Sequence, residues 1–369
     1  MAIDSFAVFL SGTQVALSPS EIERELSSMW KPINEAQGNS VSRVVLGNVI
    51  WLGTSARMDR VRSTIQRVVP KYPCRLIMLE YSETETSETV GAAVNAQCFL
   101  PAPGAVPVCC EVIHLSFGPK SAKHVRGCVA PLLLADLQTV LWTALGDVDL
   151  PVMKELQAFA DRTIRMGSLS LKPGDHLQDS VKSAFPTFDL SWFRMAQIRE
   201  QVAAFFDDSS NEFSLETIRT VRVQVAARSE GGTLPELMGA MLTGWIGSRL
   251  GWEPIGAADG KFRYQSRTGT VDVEIATCDA CNNPSRGNLS SVEMTDAKGR
   301  RFALELGRDG RSMDLWSGPQ ENPVSERELS LSELDEPEAL GMALNAASRL
   351  KSFREAGRLA VPLLQHFSN

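Results

Sequence analysis

The chain of 369 residues has little surplus positive charge, few histidines and none of the short motifs that mark common enzymes. Lys and Arg number 37 against 44 Asp and Glu, a net charge of −7, so no basic footprint is available for nucleic-acid phosphates and nucleic acid is excluded as a partner. The strongest apolar run, Cys128 to Leu137, is far shorter than the ~20 residues that span a bilayer, so no membrane span is expected. Met1-Ala2-Ile3-Asp4 carries no positive n-region, and a cytoplasmic location is the expectation. The seven cysteines are odd in number and widely spread, which suits a reducing compartment with thiols free at rest.

The catalytic search is equally thin. There is no G-x-S-x-G, no H-E-x-x-H and no G-x-G-x-x-G after a strand, while Gly118-Pro119-Lys120-Ser121 lacks the upstream glycine of a phosphate loop. His114, His124, His176 and His366 fall on unrelated elements. A zinc site from Cys109, Cys110, His114, His124 and Cys128 is opposed by strand alternation, which sends neighbours to opposite faces. No catalytic residue, cofactor or metal is therefore expected.

What is present is enough apolar content, 43%, to bury real cores. The length exceeds the roughly 250–300 residues at which single cores stop growing, so two domains are the reading. Ser18-Pro19-Ser20-Glu21 is a capping box that opens an amphipathic helix. Val41 to Leu52 reads as a strand, Met58 to Val68 as a helix stopped by Pro70, and Cys74 to Tyr81 as a second buried strand. Ala92 to Leu100 and Val108 to Phe117 are further strands, and a helix at about 119–130 precedes the apolar Leu137 to Leu145. Residues 1–175 are thus an α/β domain with a mixed sheet and helices. Residues 176–188 are taken as a linker because breakers crowd Lys172 to Pro186.

Residues 189–369 read as an α+β domain, an antiparallel meander covered by helices. Asp189 caps a helix, and Val221, Val223 and Val225 alternate as a strand. Thr233-Leu234-Pro235-Glu236 opens a helix whose Gly244, Gly247 and Gly251 imply a close neighbour. From 262 onward the period is two, with turns at Lys298-Gly299 and Asp309-Gly310. A helix at about 336–350, after an acidic lead-in from Ser325, is expected to close the sheet.

Cys278-Asp279-Ala280-Cys281 is the one chemically distinctive spacing. A C-x-x-C pair in a loop can be structural, a redox switch reached by thioredoxin, or a metal fragment. Arg57, Arg60, Arg67 and Lys71 make the second helix basic, a pattern that fits a solvated face or a docking surface. Tryptophans are core residues first and interface anchors second. Arg57, Arg60, Trp142 and Trp252 are the candidate partner contacts.

Several segments resemble, in order, the glucose-6-phosphate dehydrogenase assembly protein OpcA family. Ile22-Glu23-Arg24-Glu25-Leu26 with Trp30 is similar to its opening helix. Tyr72-Pro73-Cys74-Arg75 resembles its His-Pro-Cys-Arg strand start, with Tyr for His. Pro131-Leu132-Leu133-Leu134-Ala135-Asp136, then Leu141-Trp142, resembles its Pro-Leu-Leu-Leu-Pro-Asp segment and paired tryptophans, with Ala135 for proline and Thr143 after a single Trp. Asp189 to Asp207 and Leu242 to Trp252 resemble two helices of its C-terminal domain. The resemblance implies a non-catalytic accessory protein that binds glucose-6-phosphate dehydrogenase and promotes its active oligomer or activity in the oxidative pentose phosphate pathway. Two other readings stay open: an enzyme acting on a phosphorylated sugar or nucleotide in an inter-domain cleft, and a thiol redox sensor.

Overall fold

A computed structural model describes residues 7–8, 18–36, 42–99, 108–145, 148, 150–166, 172–208, 213–226, 235–278, 289–307, 311–318, 323–331, 335–346 and 351–367. The chain divides into two compact units. One holds Met1–Arg165 with Leu344–Ser348, the other Met166–Ala343 with Arg349–Asn369.

In the first unit, strands β1 Ala7–Val8, β2 Ser42–Arg43, β3 Asn48–Thr54, β4 Arg75–Tyr81, β5 Gly91–Phe99, β6 Val108–Phe117, β7 Thr139–Ala144 and β8 Arg162–Arg165 form a mixed sheet. Their order is β1, β5, β6, β4, β3, β7, β8, with β2 beside one end of β6. β6, β4, β3, β7 and β8 run parallel; β5 runs antiparallel to β6, and β1 runs antiparallel to β5 and so in the direction of the parallel set. The expected strands are present, with the stretch 41–52 broken into β2 and β3.

Helix α1 Pro19–Ala36 begins at the capping box, where the Ser18 backbone N–H donates to Glu21 Oε2 at 2.7 Å. Its Ile22, Leu26 and Met29 join Ile50 and Leu52 of β3, Ile77 and Leu79 of β4, and residues of α3 Ala122–Val129 and α4 Pro151–Gln157 in one core. Fully burying side chains of this kind contributes about 1.5–3 kcal/mol each before conformational entropy is counted. Helix α2 Met58–Val68 links β3 to β4 and buries Met58, Val61, Ile65 and Val68, the predicted stripe.

The segment read as a linker holds helix α5 Pro173–Lys182, which starts on a proline at its first position, and strand β9 Thr187–Asp189. A first-turn proline starts a helix as readily as it breaks one. Helices α6 Leu190–Arg194, α7 Ala196–Phe206 and α8 Pro235–Leu250 follow in the second unit, then α9 Glu336–Asn345 and α10 Lys351–Phe367. Thr233 of the expected second capping box lies outside the described residues.

The second sheet comprises β10 Ile218–Ala226, β11 Glu253–Ala258, β12 Lys261–Ser266, β13 Gly269–Cys278, β14 Leu289–Asp296, β15 Arg301–Leu306, β16 Ser312–Ser317 and β17 Ser325–Ser330. Its order is β11, β12, β13, β10, β14, β15, β16, β17. The expected meander is therefore interrupted: β10 enters between β13 and β14, parallel to the first and antiparallel to the second. Val221, Val223 and Val225 are completely buried or nearly so, as a central strand with two neighbours requires. The acidic lead-in is the strand β17, and α10, which carries Pro362 in its interior, is an element the sequence pattern does not announce. The turn at Lys298-Gly299 is where the sequence places it: Asp296 Oδ1 accepts from Lys298 and Arg300 backbone N–H groups, and Gly299 has φ +76. The Asp309-Gly310 turn lies outside the described residues.

Candidate functional site

The three family-like segments of the first unit meet at one side chain. Arg75, only 1% exposed, donates from Nε to Glu111 Oε2 at 2.8 Å and from Nη1 to the Leu132 carbonyl at 2.8 Å. Its Nη1 also reaches Glu23 Oε1 at 2.5 Å. Helix α1, the entry to β4, strand β6 and the Pro131-Leu132 turn are thereby tied together. Asn48 closes the same region, donating to the Leu134 carbonyl at 3.0 Å and accepting the Leu134 N–H at 2.9 Å. The Arg75 N–H donates to the Gly47 carbonyl, and a Cβ on Gly47 would meet the Tyr72 hydroxyl at 2.7 Å. Glu111 has no solvent exposure, and its Oε2 lies 2.7 Å from Arg75 Nη2, so the two form a buried ion pair.

All of this lies at the amino ends of β3, β4 and β7, whereas open α/β sheets hold ligands outside the carboxyl ends. The Arg75 cluster is therefore an architectural tie. Asp136, in the same segment, is exposed and adopts φ +64, a left-handed turn that Asp tolerates better than most residues.

In the second unit, Asp189 caps α6 by accepting the Ser191 N–H at 2.8 Å. The Arg199 guanidinium lies 3.6 Å from the centre of the Trp192 ring and donates to the Trp192 carbonyl. Burial brings its pKa down to about 10, still high enough to keep it charged near neutrality. Trp192 and Phe188 both meet Phe353 of α10 edge to face. The glycine stripe of α8 has the close neighbour it implied: a Cβ on Gly244 would fall well inside 3.0 Å of the Ala356 carbonyl oxygen on α10. Gly247 faces Trp252 and Leu359, and Gly251, at φ +68, ends α8 with the Trp252 N–H donating to the Gly247 carbonyl.

Among the candidate partner contacts, Trp142 is 1% exposed and Trp252 is 4% exposed, the latter with its ring tilted against that of Tyr264 at 5.8 Å. Both rings are core, which corrects their reading as surface anchors. Arg60 is exposed and Arg57 half-buried at the start of α2.

The expectation of thiols free at rest is also corrected, since Cys109 and Cys278 are disulfide-bonded. Cys109 lies opposite Cys98 in the antiparallel register of β5 and β6, a neighbour invisible before the strands are aligned. Cys278 is the last residue of β13, and Cys281 lies outside the described residues. Cys74, Cys110 and Cys128 are free, and burial pushes all three thiols up, Cys110 to about 11. Such thiols are largely unreactive. The sequence reads Glu80 as part of an acidic loop and gives no sign of its partner, yet it lies in β4 with its Oε2 2.7 Å from His114 Nε2 of β6. The paired strands' register would have found it. Among the described residues, no group of three or more His, Cys, Asp or Glu is placed to hold a metal ion, and no helix is long and apolar enough to cross a membrane.

The molecule is thus a two-domain protein, mixed α/β followed by a largely antiparallel α+β unit, in which the family-like segments build packing ties. It belongs to the OpcA glucose-6-phosphate dehydrogenase assembly family. The family's "Glucose-6-phosphate dehydrogenase subunit N-terminal domain" matches residues 65–179 and its C-terminal domain matches residues 186–357. A Nostoc punctiforme protein named "Putative OxPP cycle protein OpcA" is 28% identical over 206 residues, which is 54% of this chain and 41% of that protein. A Synechococcus elongatus protein of the same name is 28% identical over 193 residues, 51% of this chain and 42% of that one. The chain therefore aligns with about two-fifths of the length of these relatives. A solved structure titled "putative oxidoreductase yvaA", from Bacillus subtilis, overlaps 87% of this chain and 96% of its own at a TM-score of 0.40 and 10% identity, too faint a likeness to indicate function.

Proposed function

We propose that this chain is a non-catalytic accessory subunit that binds glucose-6-phosphate dehydrogenase and promotes its active oligomer or its activity in the oxidative pentose phosphate pathway, in the cytoplasm. The observation that carries this reading is the ordered match of both family domains, from 65–179 and 186–357. An activator needs only to bind one state of its target more tightly than another, and about 1–3 kcal/mol of coupling suffices. Arg57 and Arg60 at the start of α2 remain the proposed contacts, being the two candidates that reach the surface.

The test combines the cognate dehydrogenase with and without this chain, measuring oligomer size and the dependence of rate on glucose-6-phosphate. A larger assembly or a lowered substrate requirement is expected; unchanged size and unchanged kinetics sink the proposal. Arg57→Glu with Arg60→Glu should weaken complex formation while the chain alone still folds, as judged by circular dichroism.

A second reading is favoured by the disulfide at Cys278. The C-x-x-C pair Cys278 and Cys281 would act as a thiol switch on the same complex, with thioredoxin as its reductant. If Cys281→Ser leaves the response of the complex to oxidant and reductant unchanged, this switch is discarded and the accessory role stands.

A further inference from the structure

Numbered by their order in the chain, the parallel strands β6, β4, β3, β7 and β8 stand in the sequence 3-2-1-4-5. That is the order of sheets which bind nicotinamide dinucleotides. In such sheets the ligand lies outside the carboxyl ends of the first and fourth strands. A glycine-rich turn after the first strand cradles the pyrophosphate, and an acid near the end of the second holds a ribose hydroxyl. Here the first and fourth strands are β3 and β7, the turn runs from Gly53 to Met58, and the acid is Glu80. We propose that the chain's own side chains close this crevice, so that the unit is a dinucleotide-type sheet that takes no nicotinamide dinucleotide.

Three separate placements carry the proposal. Gly53 stands at the first glycine position of a G-x-G-x-x-G turn, yet the Trp51 ring lies across it: a Cβ there would come inside 3.0 Å of three ring carbons. The glycine makes room for an indole, where a dinucleotide turn needs its glycines to let the backbone approach phosphate. The second and third glycine positions are Ser55 and Met58. Met58 is buried, 6% exposed, at the point where a third glycine would let helix and strand close up. Finally, Glu80 Oε2 is engaged by His114 Nε2 at 2.7 Å, so the acid that would meet a ribose is held by the neighbouring strand.

Register extends the plug across the switch point. Trp51 of β3 stands directly beside Trp142 of β7, and both indole N–H groups are buried without an acceptor among the described residues. Leaving two buried donors unmatched is costly, which fits rings placed for their bulk. Gly53 and Glu80 are register partners, so by strand alternation Trp51, Gly53, Met78 and Glu80 share one face of the sheet.

The experiment uses the full chain alone, so its outcome is independent of whether the dehydrogenase binds. Isothermal titration with NADP+, NADPH and NAD+ to about 1 mM, a Kd range that still corresponds to roughly 4 kcal/mol, is expected to give no saturable heat. Saturable binding of any of the three overturns the proposal. In parallel, Gly53→Ala is introduced into the natural chain and into a chain already carrying Trp51→Leu. The added methyl should lower Tm by about 3 °C or more, or prevent folding, beside the indole, and should have little effect beside the smaller leucine side chain. An equal loss in both backgrounds shows that Trp51 does not fill the turn and overturns the proposal.

Discussion

In the first unit the family-like segments gather around a buried charge, Arg75, whereas in the second one of them packs where a side chain is absent, with Gly244 of α8 laid against Ala356 of α10. The two ties answer different problems. Helix α1, a turn and two strands approach Arg75 from different directions, and a long branched donor can satisfy Glu23, Glu111 and the Leu132 carbonyl at once. Helices α8 and α10 pack closely over several turns, and there the gain comes from bringing backbones together. Charge joins dissimilar elements, while close packing of small residues joins like ones.

The largest effect should come from breaking the charged tie. Arg75→Ala removes the guanidinium that faces the buried Glu111 carboxylate and is expected to cost about 3–5 kcal/mol, seen as a drop in the urea midpoint. Replacing the pair together, Arg75→Met with Glu111→Leu, should recover most of that loss; no recovery would mean that Arg75 matters for more than its charge. Next comes Gly244→Ala. Alanine in a helix is ordinarily worth up to about 1 kcal/mol more than glycine, but here the methyl would strike the Ala356 carbonyl, and a net loss of roughly 1–3 kcal/mol is expected by thermal melting. A stabilised Gly244→Ala chain would show that α8 and α10 are not in close contact. The smallest effect has the opposite sign. Gly127, inside α3, has nothing within 4 Å of where a Cβ would stand, so Gly127→Ala should raise stability by about 0.5–1 kcal/mol.

Much of this architecture is legible in the sequence because local rules and tertiary needs agree. Ser18 and Glu21 form their capping box, the α2 stripe is buried, and Asp189 caps α6. The glycines of α8 imply a close neighbour, though not which one. Misreadings arise where non-local pairing decides. Nothing near Val221 says that β10 will lie between β13 and β14. Pro362 hides α10, and a first-turn proline makes α5 look like a linker. The candidate site is harder still. Glu111 sits between Cys110 and Val112 as one acid in an apolar strand, and only the register of β4 with β6 brings it to Arg75. Trp142 and Trp252 are ambiguous in sequence, since a large aromatic suits core and interface alike.

The rim strand β11 has a consequence for how this molecule meets others. Glu253, Pro254 and Ile255 are exposed along it, Pro254 offers no N–H, and the pairing with β12 slips between Pro254 and Gly256, where φ is +114. An incoming strand would find a missing donor and a kink where it needs an even ladder. Copies of this chain therefore cannot readily string together through that rim into ribbons.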